Sequence, residues 1–148
     1  MKASQAQFGR VFILRLEDGE RLPRAIEAFA REHGISHGLV ALIGALGNGA
    51  LVAGPADAEA RPVPVITNPV SAVHEAAALG LIAPDEEGEA VLHMHGVLGR
   101  GGDAVAGCLR PGMEVWQVAE AVLIELTGSQ ALRRFDPETG FSLLEPEG

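Results

Sequence analysis

The tetrapeptide Arg-Gly-Gly-Asp at positions 100–103 most constrains how this chain can fold. A Gly-Gly pair between two runs of alternating residues is typical of a two-residue hairpin turn, because both central positions need a positive φ angle. If the two ends of the tetrapeptide pair, residues whose numbers sum to 203 face each other. His95 then lies opposite Cys108. A five-residue loop over 99–103 would instead put Cys108 on the other face of the hairpin.

This register brings three metal-binding side chains together. His93 and His95 are two positions apart, so on a strand their imidazoles share one face, about 7 Å apart at the backbone. Cys108, the chain's one cysteine, faces His95 with Cβ atoms about 5 Å apart. Two imidazoles and a thiol supply three ligands and leave a fourth position open, a pattern typical of catalytic rather than structural zinc.

The opposite face of the same hairpin is apolar, as a half-buried sheet requires. We expect this face to point into the core, and its members are Leu92, Met94, Leu98, Val105 and Leu109.

The remaining sequence predicts an α+β fold with a mainly antiparallel sheet of about seven strands and one principal helix packed on it. Apolar residues recur at helical spacing from Leu22 to Ala30, and Gly34 is a typical helix C-terminal cap. Residues 38–46 and 50–53 look like strands of a second hairpin around Gly47-Asn48-Gly49. Other strands are expected at 8–16 and 70–82, in a final hairpin joining 131–135 to 141–144, and, after a short turn, in the ambiguous segment 113–126. The proline-rich segment 56–69 is expected to be a loop or an edge.

Length and composition limit the class of protein. Residues 1–148 fit one domain. The chain has 20 acidic residues against 11 Lys and Arg, a net charge of −9, which argues against broad nucleic-acid binding. The pair Arg133-Arg134 is the densest basic spot and is expected to lie on a solvated strand edge. A lone cysteine, no secretory signal pattern and no apolar run of membrane-spanning length predict a cytoplasmic protein without membrane segments.

Four motifs, in this order, carry a resemblance to a known family. They are Gly44-Ala45-Leu46, the Leu-His-Met-His run at 92–95, Ala-Gly-Cys-Leu at 106–109 and Ala-Glu-Ala-Val-Leu at 119–123. The chain resembles the PPC domain, which is conserved in plants and prokaryotes, and looks like its stand-alone prokaryotic type. The resemblance implies a seven-stranded sheet with a helix, assembled as a homotrimer.

The same resemblance implies a divalent metal bound by three histidines, whose positions fall on His93, His95 and Cys108. Cysteine replaces the third histidine here, an exchange that zinc tolerates. The family also has a DNA-binding label, but the sequence contains no AT-hook, so that label loses its physical basis here.

Three functions remain open. The first is a homotrimeric metal protein that binds a small ligand or regulates a partner, with Arg110, opposite His93, as a group for an anionic ligand. The second is a DNA-associated regulator. The third is a metal-dependent lyase or hydrolase of a small carbonyl acid, suggested by a distant resemblance to acetolactate decarboxylase. Residues to follow around such a site are His74, Glu75 and Glu120, whereas His33 and His37 are expected at a helix end and in a turn.

Overall fold

The computed structural model describes residues 1–146 and shows one principal sheet, a short helix and a separate hairpin. The helix α1 is Arg24–Glu32. The strands are β1 (Gln7–Glu17), β2 (Arg21–Leu22), β3 (Gly38–Gly47), β4 (Gly49–Pro55), β5 (Val65–Val70), β6 (His74–Pro84), β7 (Ala90–Arg100), β8 (Asp103–Leu109), β9 (Met113–Thr127), β10 (Leu132–Asp136) and β11 (Phe141–Glu145).

The principal sheet is antiparallel and has the order β1-β9-β3-β6-β7-β8-β4-β5, with β2 also paired to β9. The strands β10 and β11 form a two-stranded sheet of their own. The predicted α+β class is therefore confirmed, but the strand count exceeds seven. Part of the excess comes from segments that only pairing reveals, such as the two-residue β2 and the edge strand β5, which contains Pro69.

The helix α1 ends as its sequence predicts. Gly34 has a φ angle of +66°, and its N–H donates to the carbonyl of Arg31 while the N–H of Ile35 donates to that of Ala30. This pair of bonds is a Schellman motif, which satisfies carbonyls that the last helical turn leaves free. Ile26 and Ala30 are buried, so α1 covers one face of the sheet.

The predicted hairpin between residues 38–46 and 50–53 is wrong. Both segments are strands, but β3 lies between β9 and β6, whereas β4 lies between β8 and β5. Both edges of β3 are already occupied, so β4 has no free edge of β3 to pair with. The turn at Asn48, with a φ angle of +47°, redirects the chain instead of closing a hairpin.

The short turn expected within residues 113–126 lies just before them, at Pro111-Gly112, and β9 is continuous over Met113–Thr127. Gln117 has a φ angle of +60°, and its N–H donates to Asp18 Oδ1 at 2.6 Å. Opposite this point the pairing of β9 with β3 shifts register. The irregularity interrupts the strict alternation of the strand, which explains why its apolar spacing resembles that of a helix.

The face of the sheet turned away from α1 is apolar but exposed, and we call it the outer face. Ile13 pairs with Val122, Val122 with Ala41, Ala41 with Leu79, and Leu79 with His95. Directly paired residues point to the same side of a sheet, so this row crosses five strands on one face. The side chains form a shallow concavity of about 720 Å³, whose lining includes Ile13, Ala41, Ile43, Ala77, Leu79, His95, Val97, Ala106, Glu120 and Val122.

Candidate metal centre

The hairpin of β7 and β8 has the predicted register. Gly101 and Gly102 have φ angles of +62° and +96°, and the ladder pairs Arg100 with Asp103 and continues to His95 opposite Cys108. The five-residue loop is thereby excluded. Most of the predicted inner set is also confirmed, since Leu92, Met94, Leu98 and Leu109 are buried. Val105 is the exception, because it lies near the turn and remains 40% exposed.

The three predicted ligands come together at the outer face. The Nε2 atoms of His93 and His95 are 3.0 Å apart, and the rings meet edge to face with centroids 4.9 Å apart. The possible ligand atoms of His93, His95 and Cys108 all lie within 4.8 Å of one another. Both histidines are exposed and Cys108 is half-buried, so the cluster is open to solvent and to ligands.

The electrostatic surroundings favour neutral His93. Partial desolvation of the ring lowers the pKa of His93 below its ordinary value of 6.5, and the positive charges of Arg133, His95 and Arg110 lower it further. A neutral imidazole keeps the lone pair that a metal requires. The ring can therefore bind a cation at a pH where an ordinary histidine begins to be protonated.

The donor set suits zinc. Two imidazole nitrogens and a thiolate are ligands of the type that zinc takes in tetrahedral sites. In such a site two nitrogen ligands stand about 3.3 Å apart, close to the observed 3.0 Å between the two Nε2 atoms. Among residues 1–146, Cys108 Sγ makes only a long contact of 3.8 Å, to the carbonyl of Leu109, so no strong hydrogen bond from these residues competes for it.

Arg110 is not paired with His93 as predicted, because β8 ends at Leu109 and the ladder stops at Cys108. The Arg110 N–H instead donates to the carbonyl of Ala50. The exposed side chain still acts on His93 through its positive charge.

The other histidines lie away from the cluster. His74 pairs with Leu46 at the start of β6, and its Nδ1 lies 2.7 Å from the carbonyl of Ala72. His74 and buried Ala76 are two positions apart on β6, so their side chains point to the same face, which is opposite to that of His95. His33 stacks on Phe29 at the end of α1, with ring centroids 3.9 Å apart.

His37 lies just before β3, and its Nε2 is 2.6 Å from the carbonyl of Ala131. The two glutamates singled out from the sequence, Glu75 and Glu120, are both exposed. Glu120 lines the outer-face concavity from β9, with β3 and β6 between it and the strand of His95, whereas Glu75 pairs with Gly99 near the turn of the hairpin.

Sequence reasoning missed Arg133. The expectation of a solvated edge holds for Arg134, which is exposed, but is wrong for Arg133, which is only 5% exposed. Arg133 Nη2 donates to the carbonyl of Leu81 at 3.0 Å, and Leu81 is the direct partner of His93 in the sheet. Strand alternation was the available signal, because it puts adjacent arginines on opposite sides of β10.

Within residues 1–146, no helix has the length and apolar character needed to cross a lipid bilayer.

The fold and the cluster define a class: an antiparallel-sheet protein with one packed helix and a His-x-His/Cys group on its outer face. The model of the Plants and Prokaryotes Conserved (PCC) domain, also written PPC, matches residues 3–127. The chain belongs to this family, as its motifs predict. No match to the chain is found among curated proteins.

Solved structures show the same fold over nearly the whole chain. A PPC protein from Pyrococcus horikoshii is 27% identical, with a TM-score of 0.86, covering 100% of this chain and 99% of its own. A metal-containing protein from Archaeoglobus fulgidus is also 27% identical, with a TM-score of 0.85, covering 98% and 99%. A candidate DNA-binding protein from Bacteroides thetaiotaomicron is 22% identical, with a TM-score of 0.78, covering 98% and 100%, and supports the fold alone.

Proposed function

We propose that this chain is a metal-binding PPC protein that holds a divalent ion, zinc, through His93, His95 and Cys108. The observation that carries the proposal is the convergence of their ligand atoms within 4.8 Å of one another. A metal-containing relative of 27% identity supports it. The lowered pKa of His93 supports it as well, since the ring stays neutral and free to bind.

The role of the site is to bind a small ligand, through which the protein acts or regulates a partner. Three protein ligands leave one position of a tetrahedral zinc ion open, where the metal would bind and polarise an oxygen of that ligand. The surroundings of the three ligands leave room for a bound molecule. Both histidines are exposed, and the adjoining concavity has room for an apolar group beside His95.

We also propose that three copies of the chain assemble through the outer face. Ile13, Ile43 and Leu79 are 86%, 59% and 58% exposed, and they belong to one continuous apolar surface across the sheet. Contiguous apolar surfaces of this kind are uncommon on monomers and mark interaction sites. A homotrimer would bury the part of this surface formed by Ile13, Ile43 and Leu79 and bring neighbouring copies close to the metal cluster.

The metal is tested by elemental analysis of protein purified without added metal. We expect close to one zinc per chain, and a loss of about tenfold or more in zinc content for His93→Ala. His74→Ala is the matched control, since that histidine lies on the other face, and it should keep its zinc. Absence of stoichiometric metal, or a His93→Ala variant with unchanged content, would contradict the proposal.

The role of Cys108 needs its own measurement. Cobalt substitution reports the ligand directly, because a thiolate bound to cobalt gives an intense near-ultraviolet charge-transfer band. We expect the band in the unsubstituted protein, and we expect Cys108→Ser to lack it and to bind zinc about tenfold or more weakly. Equal zinc affinity in Cys108→Ser would remove the cysteine from the ligand set and leave the two histidines.

A further inference from the structure

We propose that Arg133 binds the carboxylate of a small organic acid beside the metal centre. This inference rests on the proposed function, because it specifies the ligand that the open metal position would take. It starts from an arginine that is nearly buried, reaches the strand beside that of His93 and has a donor without a partner among residues 1–146.

The placement of Arg133 is set by the sheet. Its side chain leaves β10 and reaches β6, where Nη2 donates to the carbonyl of Leu81 at 3.0 Å. Leu81 is the direct cross-strand partner of His93, so the guanidinium lies one strand from the first metal ligand.

The bonding of Arg133 is incomplete. It is 5% exposed, and its Nε has no hydrogen-bond partner within the described part of the chain. Each of the ion pairs formed by residues 1–146 involves another cation: Lys2, Arg10, Arg15, Arg21 or Arg31. Buried charges are normally paired and buried donors bonded. An arginine with no carboxylate partner among residues 1–146 is therefore suited to receive one from a ligand.

The charge balance of the loaded site points the same way. A bound zinc dication, Arg133 and nearby Arg110 outweigh the single negative charge of a Cys108 thiolate. The site is thus locally positive, although the chain as a whole has a net charge of −9. A small anion would be attracted to this position.

A carboxylate suits these groups better than other anions. The planar guanidinium matches the planar carboxylate and forms directed, charge-assisted bonds with it. A second oxygen on the same acid, from a carbonyl or hydroxyl group, suits the open metal position. Its aliphatic part can lie against the apolar wall beside His95, which includes Val97 and Ala106. Pyruvate has all three features and serves as the probe.

The test is isothermal titration calorimetry of pyruvate into the zinc-loaded full chain. We expect saturable binding of pyruvate with a dissociation constant below about 10 mM. The neutral amide of pyruvate should bind at least about tenfold more weakly, and inorganic phosphate should also bind more weakly than pyruvate. Arg133→Gln should weaken pyruvate binding by about tenfold or more while one zinc per chain is retained. The matched control is Arg134→Gln, at the adjacent exposed arginine. Its dissociation constant for pyruvate should stay within about twofold of that of the unsubstituted chain.

Several results would overturn the inference. They are no pyruvate binding by the zinc-loaded protein, equal binding by Arg133→Gln, or tighter binding of phosphate. If Arg133→Gln does not fold, Arg133→Lys decides, because it keeps the charge but loses the planar fork. We then expect binding to weaken by about threefold or more, and unchanged binding would contradict the proposal.

The metal proposal and the anion proposal can fail separately. Zinc binding without pyruvate binding removes the anion site and leaves the metal site. Pyruvate binding that needs Arg133 in a chain that takes up no zinc removes the metal site and leaves the anion site.

Discussion

The two sides of β7 both contain apolar residues but have opposite surroundings. On one side Met94 and Leu98 are at most 2% exposed and belong to the buried core. On the other side Val97 is 51% exposed, in line with His93 and His95. Both sides contain apolar residues, but among residues 1–146 only the inner side is buried along its length.

Because of this difference, the two faces contribute to the protein in different ways. The inner face stabilises the chain by removing apolar area from water. The outer face contributes little of that kind to a single copy, so its apolar residues and its histidines are available for assembly and for ligands. Substitutions on the two faces should therefore differ in kind as well as in size.

The largest effect on folding is expected from the inner face. Leu98→Ala removes a fully buried side chain and should lower the free energy of unfolding by about 3 kcal/mol, through lost transfer energy and the cavity left behind. Urea denaturation followed by circular dichroism measures it. Val97→Ala on the adjacent position is the matched control and should cost less than about 1 kcal/mol. Equal costs would show that the two faces are not distinct.

On the outer face, a charge should change assembly and leave the fold intact. Leu79→Asp puts a carboxylate in the middle of the exposed apolar row, where burial between copies would cost several kcal/mol. We expect light scattering after size-exclusion chromatography to show a trimer for the unsubstituted chain and a monomer for Leu79→Asp, with unchanged circular dichroism. Val65→Asp, on the edge strand β5, should remain trimeric. A Leu79→Asp trimer would contradict assembly through this face.

A smaller effect is expected from an ion pair near the end of α1. Arg10 binds both carboxylate oxygens of Glu125 and donates to the carbonyl of His33. This pairing lowers the pKa of Glu125 from 4.5 to about 2. Between these two pKa values the unfolded chain binds more protons than the folded chain. The ion pair's contribution to the free energy of unfolding is therefore complete above pH 4.5 and is lost as the pH falls toward 2.

Glu125→Gln should accordingly lower the free energy of unfolding by about 1 kcal/mol near neutral pH and make no difference at the acid end of that range. Urea titrations across the range measure the change. Glu17→Gln affects a more exposed pair with Arg15 and should have a smaller effect, because solvent screens that pair. A cost of Glu125→Gln that does not depend on pH would contradict this linkage.

The smallest signal is expected in a test of DNA binding. A net charge of −9 leaves the chain without the excess of cations that phosphate-backbone binding uses. We expect no gel shift at low salt with micromolar protein, for either the unsubstituted chain or Arg134→Gln. A shift that weakens in Arg134→Gln would instead assign the exposed arginine to a DNA-binding surface.

Local sequence signals predicted the register of one hairpin better than the strand order of the sheet. The Gly101-Gly102 turn specified the register of β7 and β8, because a two-residue loop allows few backbone conformations. The Gly47-Asn48-Gly49 signal is just as strong locally but failed, because whether two strands pair depends on which edges are free. That availability was decided by β6 and β9, far away in the sequence.

By itself the sequence determined the α+β class, the family, the end of α1 and the register that puts His95 opposite Cys108. These features follow from short-range backbone preferences and strict alternation, which act within a few residues. Only the tertiary structure decided the strand order, the exposure of the outer apolar face and the burial of Arg133. Those depend on which distant segments pack together, since a side chain's surroundings are set by neighbours in space.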